Sequence, residues 1–311
     1  MAEEEGSDGP DGSRSSSWGG SRFRVVLWTL SALIAFAGNS VLCRLALLAP
    51  EGRPASIDAL SFTAVRLLSG ALVLLPALLT ASGGARERLR TSPLAVAALF
   101  VYAAAFSLSY VTLDAGVGAL LLFGLVQITM VGAGLAAGER LGPRKVLGML
   151  VAIAGVVLLV APSAGDALAS EPPDPTGSIL MAIAGIAWGV YSLLGRGAGH
   201  PVRRTATNFL LCVPFALAAL ALAERSWTAE GLILAATSGA ITSGLGYAIW
   251  YAALRGHTAT SAAIVQLAVP VLAALGGVVW IGEVVTGRLV ASSGLVLGGI
   301  AVSLAAGRSR T

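Results

Sequence analysis

Polar and apolar positions in this chain separate into long blocks. Ten predominantly apolar runs, at about 25–48, 57–79, 92–112, 115–137, 144–162, 176–196, 205–223, 231–254, 259–281 and 288–306, alternate with short polar connections. Each approaches the roughly 20 residues that a helix needs to cross a hydrocarbon core about 30 Å thick. The pattern predicts an all-α integral membrane protein with ten transmembrane helices, and the connections leave no room for a soluble domain.

One stretch is repeated. GVGALLLFGLVQITMVGAGLAAGERL starts at Gly116, and SAAIVQLAVPVLAALGGVVWIGEVV starts at Ser261. Laying Gly138-Glu139 on Gly282-Glu283 sets an offset of 144 residues, at which Gly155 falls on Gly299 and Arg144 on Arg288. Five helices per copy is an odd number, so the second copy must enter the membrane upside down relative to the first. The expected organisation is a disordered cytoplasmic tail (1–21), a first five-helix repeat (22–163), an acidic, Pro-rich outer linker (164–175), a second five-helix repeat (176–306) and a short tail (307–311). Inverted repeats of this kind predict a site near the midplane that two equivalent packings open to opposite sides.

Composition agrees with lipid as the solvent: 56% of residues are hydrophobic, 12% are charged, and the mean hydropathy is +0.84. A net charge of +4 and a pI near 9.5 invite a nucleic-acid reading. The basic residues instead alternate along the chain, with Arg86, Arg88, Arg90, Arg140, Arg144, Lys145, Arg203 and Arg204 on one side and only Arg53, Arg225 and Arg288 in the opposite loops. That asymmetry places both termini in the cytoplasm, and no nucleic-acid partner is implied. Nineteen arginines to one lysine suggest a GC-rich bacterial genome and hence the plasma (inner) membrane. The two cysteines, Cys43 and Cys212, lie in apolar runs and imply neither a disulfide nor a metal site. No cofactor is implied either. The first 21 residues lack the basic start and apolar core of a cleavable signal peptide.

Polar and aromatic residues within the runs are the candidate substrate contacts. Asn39 lies well inside the first run and needs a partner, either a substrate or a neighbouring helix. Arg66 lies about 13 Å deep, where a cation must face protein or water. It is read as an anion contact or as a clamp on the carbonyls of a broken helix end. Arg44, near a helix end, is read as an interfacial anchor. Phe123 and Gln127, with Met130, share a face of the fourth run. Trp188 and Tyr191 lie mid-helix, which favours a pocket wall over an interfacial belt. Tyr247 and Trp250, with Tyr251, form a stripe that corresponds to Phe106, Ser109 and Tyr110 of the third run. Gln266 and Pro270 share a face of the ninth, and Pro270 is the expected kink. The substrate-binding set is therefore Asn39, Arg66, Phe106, Tyr110, Phe123, Gln127, Trp188, Tyr191, Tyr247, Trp250 and Gln266. GxxxG spacings at Gly134–Gly138, Gly185–Gly189 and Gly294–Gly298 leave a homodimer open without establishing one.

Residues 25–306 resemble an EamA-type member of the drug/metabolite transporter superfamily. The resemblance is carried by AGNSVLCRLAL, AVRLL, the paired LAAGERL and VVWIGEVV ends, the Pro270-to-Glu283 spacing, and the closing GMLVAIAG and GLVLGGIA. Departures are the absent tryptophan before Gly38 and VQITM where the fourth helix would carry proline. The resemblance implies movement of small metabolites, commonly amino acids or related compounds, through a cavity built from both repeats.

Other classes fit less well. No HExxH motif occurs, and His200 and His257 lie in inner loops, so no catalytic set is evident. A channel would not require inverted duplication, and a non-transporting scaffold would show no saturable uptake. All 16 acidic residues lie in tails, loops or end turns. That distribution predicts a facilitator or exchanger, or else coupling through acids at the helix ends.

Overall fold

The computed structural model describes residues 15–49, 54–80, 91–136, 138, 142–161, 171–195, 200–254, 256–257, 265–266 and 268–305. These are helical almost throughout. The helices are α1 (Ser15–Leu47), α2 (Ala59–Leu79), α3 (Pro93–Ser109), α4 (Ala115–Ala136), α5 (Pro143–Val160), α6 (Pro175–Gly195), α7 (Pro201–Leu222), α8 (Ala229–Leu254), α9 (Ala268–Ile281) and α10 (Gly287–Ala305). Six of them, α1, α2, α4, α6, α7 and α8, are long and apolar enough to cross a membrane. The other four are shorter apolar helices. Large apolar side chains point outward, among them Leu222 at 80% and Val284 at 76% exposure. A soluble chain rarely shows such a surface, and this one belongs in a bilayer.

Local chemistry sets the helix ends. Pro93, Pro143, Pro175 and Pro201 open their helices, where the missing N–H costs nothing. Asp58 accepts from Ser61 N at 2.9 Å and Thr228 accepts from Gly231 N at 3.1 Å as N-caps. Gly282, at φ +79°, closes α9 in the left-handed conformation. Residues 15–21, expected in the tail, are helical and continuous with the rest of α1, since extending a nucleated helix is cheap. The break within α7 falls at Cys212, ahead of Pro214. Pro270 is buried within α9.

Packing follows an exchange rule. Helix α3 packs on α6 and α8 on α1; α4 packs on α6 and α9 on α1; α2 meets α7, α4 meets α9 and α5 meets α10. Advancing every helix by five turns this set of contacts into itself. The rule extends to single atoms. A Cβ on Gly155 would stand 2.8 Å from the backbone nitrogen of Val296, and one on Gly299 would stand 2.5 Å from that of Ala152. The second pair lies 144 residues beyond the first, with Gly155 and Gly299, and Ala152 and Val296, exchanging places. The two helices run antiparallel at this contact, since Gly148 faces Ser303 while Gly155 faces Leu295.

Contacts between connections sort into two ends. At the odd end, which carries the connections that follow odd-numbered helices, Asp58 N donates to Ser226 O and Thr112 Oγ1 to Asp174. There too, Arg288 Nη1 donates to the carbonyls of Leu158, Leu159 and Ala161. At the even end, Thr91 Oγ1 donates to Asn208 Oδ1 at 2.7 Å, and Thr29 Oγ1 lies 2.8 Å from His257 Nε2.

Candidate functional site

Five helices converge on one chamber. Its walls are Phe36, Asn39 and Ser40 from α1, Tyr102 and Phe106 from α3, Leu122 and Phe123 from α4, Trp188 from α6, and Thr242 and Tyr247 from α8. The rings interlock: Trp188 lies 4.8 Å from Tyr102 and 5.1 Å from Tyr247, and Phe36 lies 5.9 Å from Tyr247, between centroids. The cavity they leave has a volume of about 20 Å³. That holds about one water, so the chamber is closed in this structure.

The polar side of the chamber depends on a distortion in α8. Residues Ser238–Leu245 form a π-helical segment, a wider turn often found at functional positions. Gly239 lets it approach α2, because a Cβ there would strike Ser69 and the Arg66 carbonyl. The segment turns Ser238 and Thr242 toward α1, where Asn39 Oδ1 accepts from both at 2.7 and 3.2 Å. Asn39→Leu is expected to destabilise the ligand-free protein by about 1–3 kcal/mol through these lost partners. Thermal unfolding in detergent reads the effect; an unchanged midpoint would contradict it.

Arg66 lies directly behind the ring wall and is 2% exposed. Its Nε donates to Ser243 Oγ at 3.1 Å and its Nη2 to the Tyr102 hydroxyl at 3.0 Å. The guanidinium carbon sits 5.2 Å from the Tyr102 centroid and 4.8 Å from that of Phe106. Nη1 has no hydrogen-bond partner among the described residues. The expected clamp on helix-end carbonyls is not what Arg66 makes: its partners among the described residues are hydroxyls and aromatic faces.

Carbonyl clamping falls to Arg44, expected as an interfacial anchor but found buried. Its Nη1 donates to Tyr110 O at 3.1 Å and to Val111 O at 2.9 Å, holding the end of α3. Nη2 lies 3.4 Å from Asp114 Oδ1, and Nε lies 3.4 Å from Glu283 Oε1. Glu283 also accepts from Ala115 N through both oxygens, at 3.0 and 2.9 Å. One carboxylate thus joins the α9–α10 connection to the first turn of α4 and to α1. Burial pushes the Glu283 carboxyl above its ordinary range and Asp114 adds to this, while the Ala115 N–H and Arg44 pull against it. Glu139, its counterpart by the repeat, is outside the described residues.

The sequence profile of the EamA-like transporter family matches this chain twice, at residues 23–161 and 175–305. The chain belongs to the EamA-like transporter family. It is 51% identical over 292 residues to an uncharacterised protein of Pseudomonas aeruginosa, a match that spans 91% of this chain and 95% of the relative. An uncharacterised transporter of Archaeoglobus fulgidus is 25% identical over 258 residues, spanning 79% of this chain and 87% of its own. A crystal structure of 20% identity superposes with a TM-score of 0.62 over 92% of this chain and 98% of that one, which shows a shared fold. The molecule is an integral membrane protein of a transporter family.

Within this EamA-like chain the expected contacts scatter. Asn39, Phe106, Phe123, Trp188 and Tyr247 meet in the chamber, with Arg66 behind them. Tyr110 lies beyond its odd-end side, edge-on to Phe106 at 4.8 Å and donating to Ala115 O. Tyr191 stacks on Trp188 at 5.3 Å but faces an even-end cleft, where Asn208 Nδ2 donates to its hydroxyl at 3.2 Å. Trp250 packs behind Phe36 at 5.7 Å. Gln127 lines a different cleft, between α4, α5 and α10, and Gln266 is not among the chamber's lining residues. Phe36, Ser40, Tyr102, Leu122 and Thr242 line the chamber without being among the expected contacts. Tyr102 had a readable signal, since it precedes Phe106 and Tyr110 at spacings of four.

Proposed function

We propose that this protein is a secondary transporter that moves a small polar metabolite, an amino acid or a related compound, by alternating access. In this reading ten helices span the bilayer as two inverted five-helix repeats in the bacterial plasma membrane, with both termini cytoplasmic. The odd end faces outward, as the distribution of basic residues expects. The observation that carries the reading is the exchanged contact of Gly155 over Val296 and Gly299 over Ala152, made between antiparallel helices. A two-fold that exchanges antiparallel helices lies across their axes, hence in the plane of the membrane. The double family match supports the same division.

The chamber's position supports the mechanism. It is built from α1, α3 and α4 of one copy and α6 and α8 of the other, so moving one copy against the other reshapes it. On the outward side, Glu283 and Arg44 tie α9, α1 and α4 together. On the cytoplasmic side, Thr91, Asn208 and Tyr191 tie the start of α3 to α7 and α6. Releasing one set while the other holds opens the chamber to one face at a time. No carboxylate lines the chamber among the described residues, which favours facilitation or exchange over a midplane proton relay.

Proteoliposomes offered a mixture of amino acids and their 2-oxo acids, read by mass spectrometry, test this. The expected result is saturable uptake of at least one compound, accelerated when the same compound is preloaded inside. Flux that never saturates would replace the transporter with a pore. No protein-dependent uptake would leave a scaffold.

A further inference from the structure

Resting on the transporter reading, and narrowing its substrate from amino acids to related acids that lack the ammonium, we infer that the substrate is a monocarboxylate with net charge −1 and an apolar or aromatic body, and that Arg66 selects it by charge. Among the described residues the central site has one cation, Arg66 behind the ring wall, and no carboxylate to balance it. Arg66 is 2% exposed, its hydrogen bonds among the described residues go to the neutral hydroxyls of Ser243 and Tyr102, and Nη1 is unpaired among them. The ion pairs among the described residues both belong to Arg44, at the odd end. A buried guanidinium without a counter-ion is costly, and an incoming carboxylate, which matches its planar fork, supplies what is missing.

The same geometry discriminates among anions and against cations. A phosphate monoester carries about −1.5 to −2 at neutral pH, more than one guanidinium offsets. A zwitterionic amino acid brings an ammonium as well, and among the described residues the chamber offers that group ring faces but no carboxylate. Asn39 Oδ1, the amide acceptor in the wall, is already taken by Ser238 and Thr242. The remaining walls, Phe36, Phe106, Phe123, Trp188 and Tyr247, suit an apolar or aromatic body. Tyr102 stands between Arg66 and the chamber, its hydroxyl accepting from Arg66 Nη2 at 3.0 Å and from Asn39 Nδ2 at 3.5 Å. Displacing that ring as the chamber widens presents the guanidinium to the substrate.

The test is equilibrium binding of three probes that share a ring and chain length, 3-phenylpropanoate, phenylalanine and phenethylamine, to purified full-length protein in nanodiscs. Expected is binding of 3-phenylpropanoate about tenfold or more tighter than phenylalanine, with phenethylamine weakest. Arg66→Lys should keep that order, and Arg66→Gln should remove it. If the Gln variant does not fold, the wild-type order alone decides. Phenylalanine or phenethylamine binding as well as the acid, or no binding by any of the three, overturns the inference. If the proteoliposomes still take up some metabolite, only the charge assignment falls; if they take up none, the transporter reading falls with it.

Discussion

Arg44→Met is expected to cost about 3 kcal/mol or more of stability, near the lower end of what breaking a buried ion pair costs. Four groups lose a partner at once. The carbonyls of Tyr110 and Val111 lose their donor, and Glu283, whose side chain is only 10% exposed, loses its cation. Asp114 is 46% exposed and contributes little, because water takes the place of Arg44 there. The deficit should depend on pH with a definite sign. Burial already raises the Glu283 carboxyl, and Arg44 is one of the groups holding it down. A carboxyl whose folded pKa exceeds its unfolded value costs stability above the folded pKa and nothing below the unfolded one. The variant should therefore be weakest at neutral to alkaline pH and recover part of the loss as pH falls toward the ordinary carboxylate range. Thermal unfolding in detergent across pH reads both effects, and a pH-independent deficit would show that Glu283 is not the group left stranded.

Gly299→Val is expected to cost about as much, by overpacking. A Cβ there would stand 2.5 Å from both Ala152 N and Gly148 O, which are backbone atoms of α5 and can yield only by separating the two helices. Gly155→Val meets the same obstacle from the other side, with its Cβ 2.8 Å from Val296 N. The two variants should lose stability to a similar extent, because they occupy exchanged places. Gly294 and Gly298 are the controls: nothing stands within 4 Å of a Cβ at either, and Val should be tolerated at both. Comparable losses at all four positions would mean that helix propensity, and not contact across the pseudo-two-fold, sets the effect.

Much of this architecture is written in the sequence, because lipid forces apolar helices and a duplicated gene leaves a register. The 144-residue offset set by two Gly-Glu pairs also brings Gly155 onto Gly299, and the structure turns that correspondence into an exchanged contact. The chamber was only partly legible. Mid-helix aromatics such as Trp188 and Tyr247 have few other uses and do meet there. Gln127 shares a helical face with Phe123 by spacing, yet α4 is packed on one side by α6 and on another by α5 and α10, and the four-residue step carries Gln127 to the second side. The π-helical segment in α8 has no period of its own in the chain, so the turning of Ser238, Thr242 and Ser243 toward Asn39 and Arg66 could not be read. Depth along a helix places Arg44 within reach of an interface but says nothing of the carbonyls waiting beside it.

Access to one chamber residue from the two faces of the membrane tests the alternating-access claim most directly. Ser40 lines the chamber and can carry a single cysteine in a background without Cys43 and Cys212. A small membrane-impermeant thiol reagent is then applied to right-side-out and, separately, to inside-out vesicles. Alternating access predicts modification from either face, with a cross-link that locks the Glu283 end shut abolishing labelling from that side alone. Labelling confined to one face, with or without the cross-link, would contradict a chamber shared between two inverted halves.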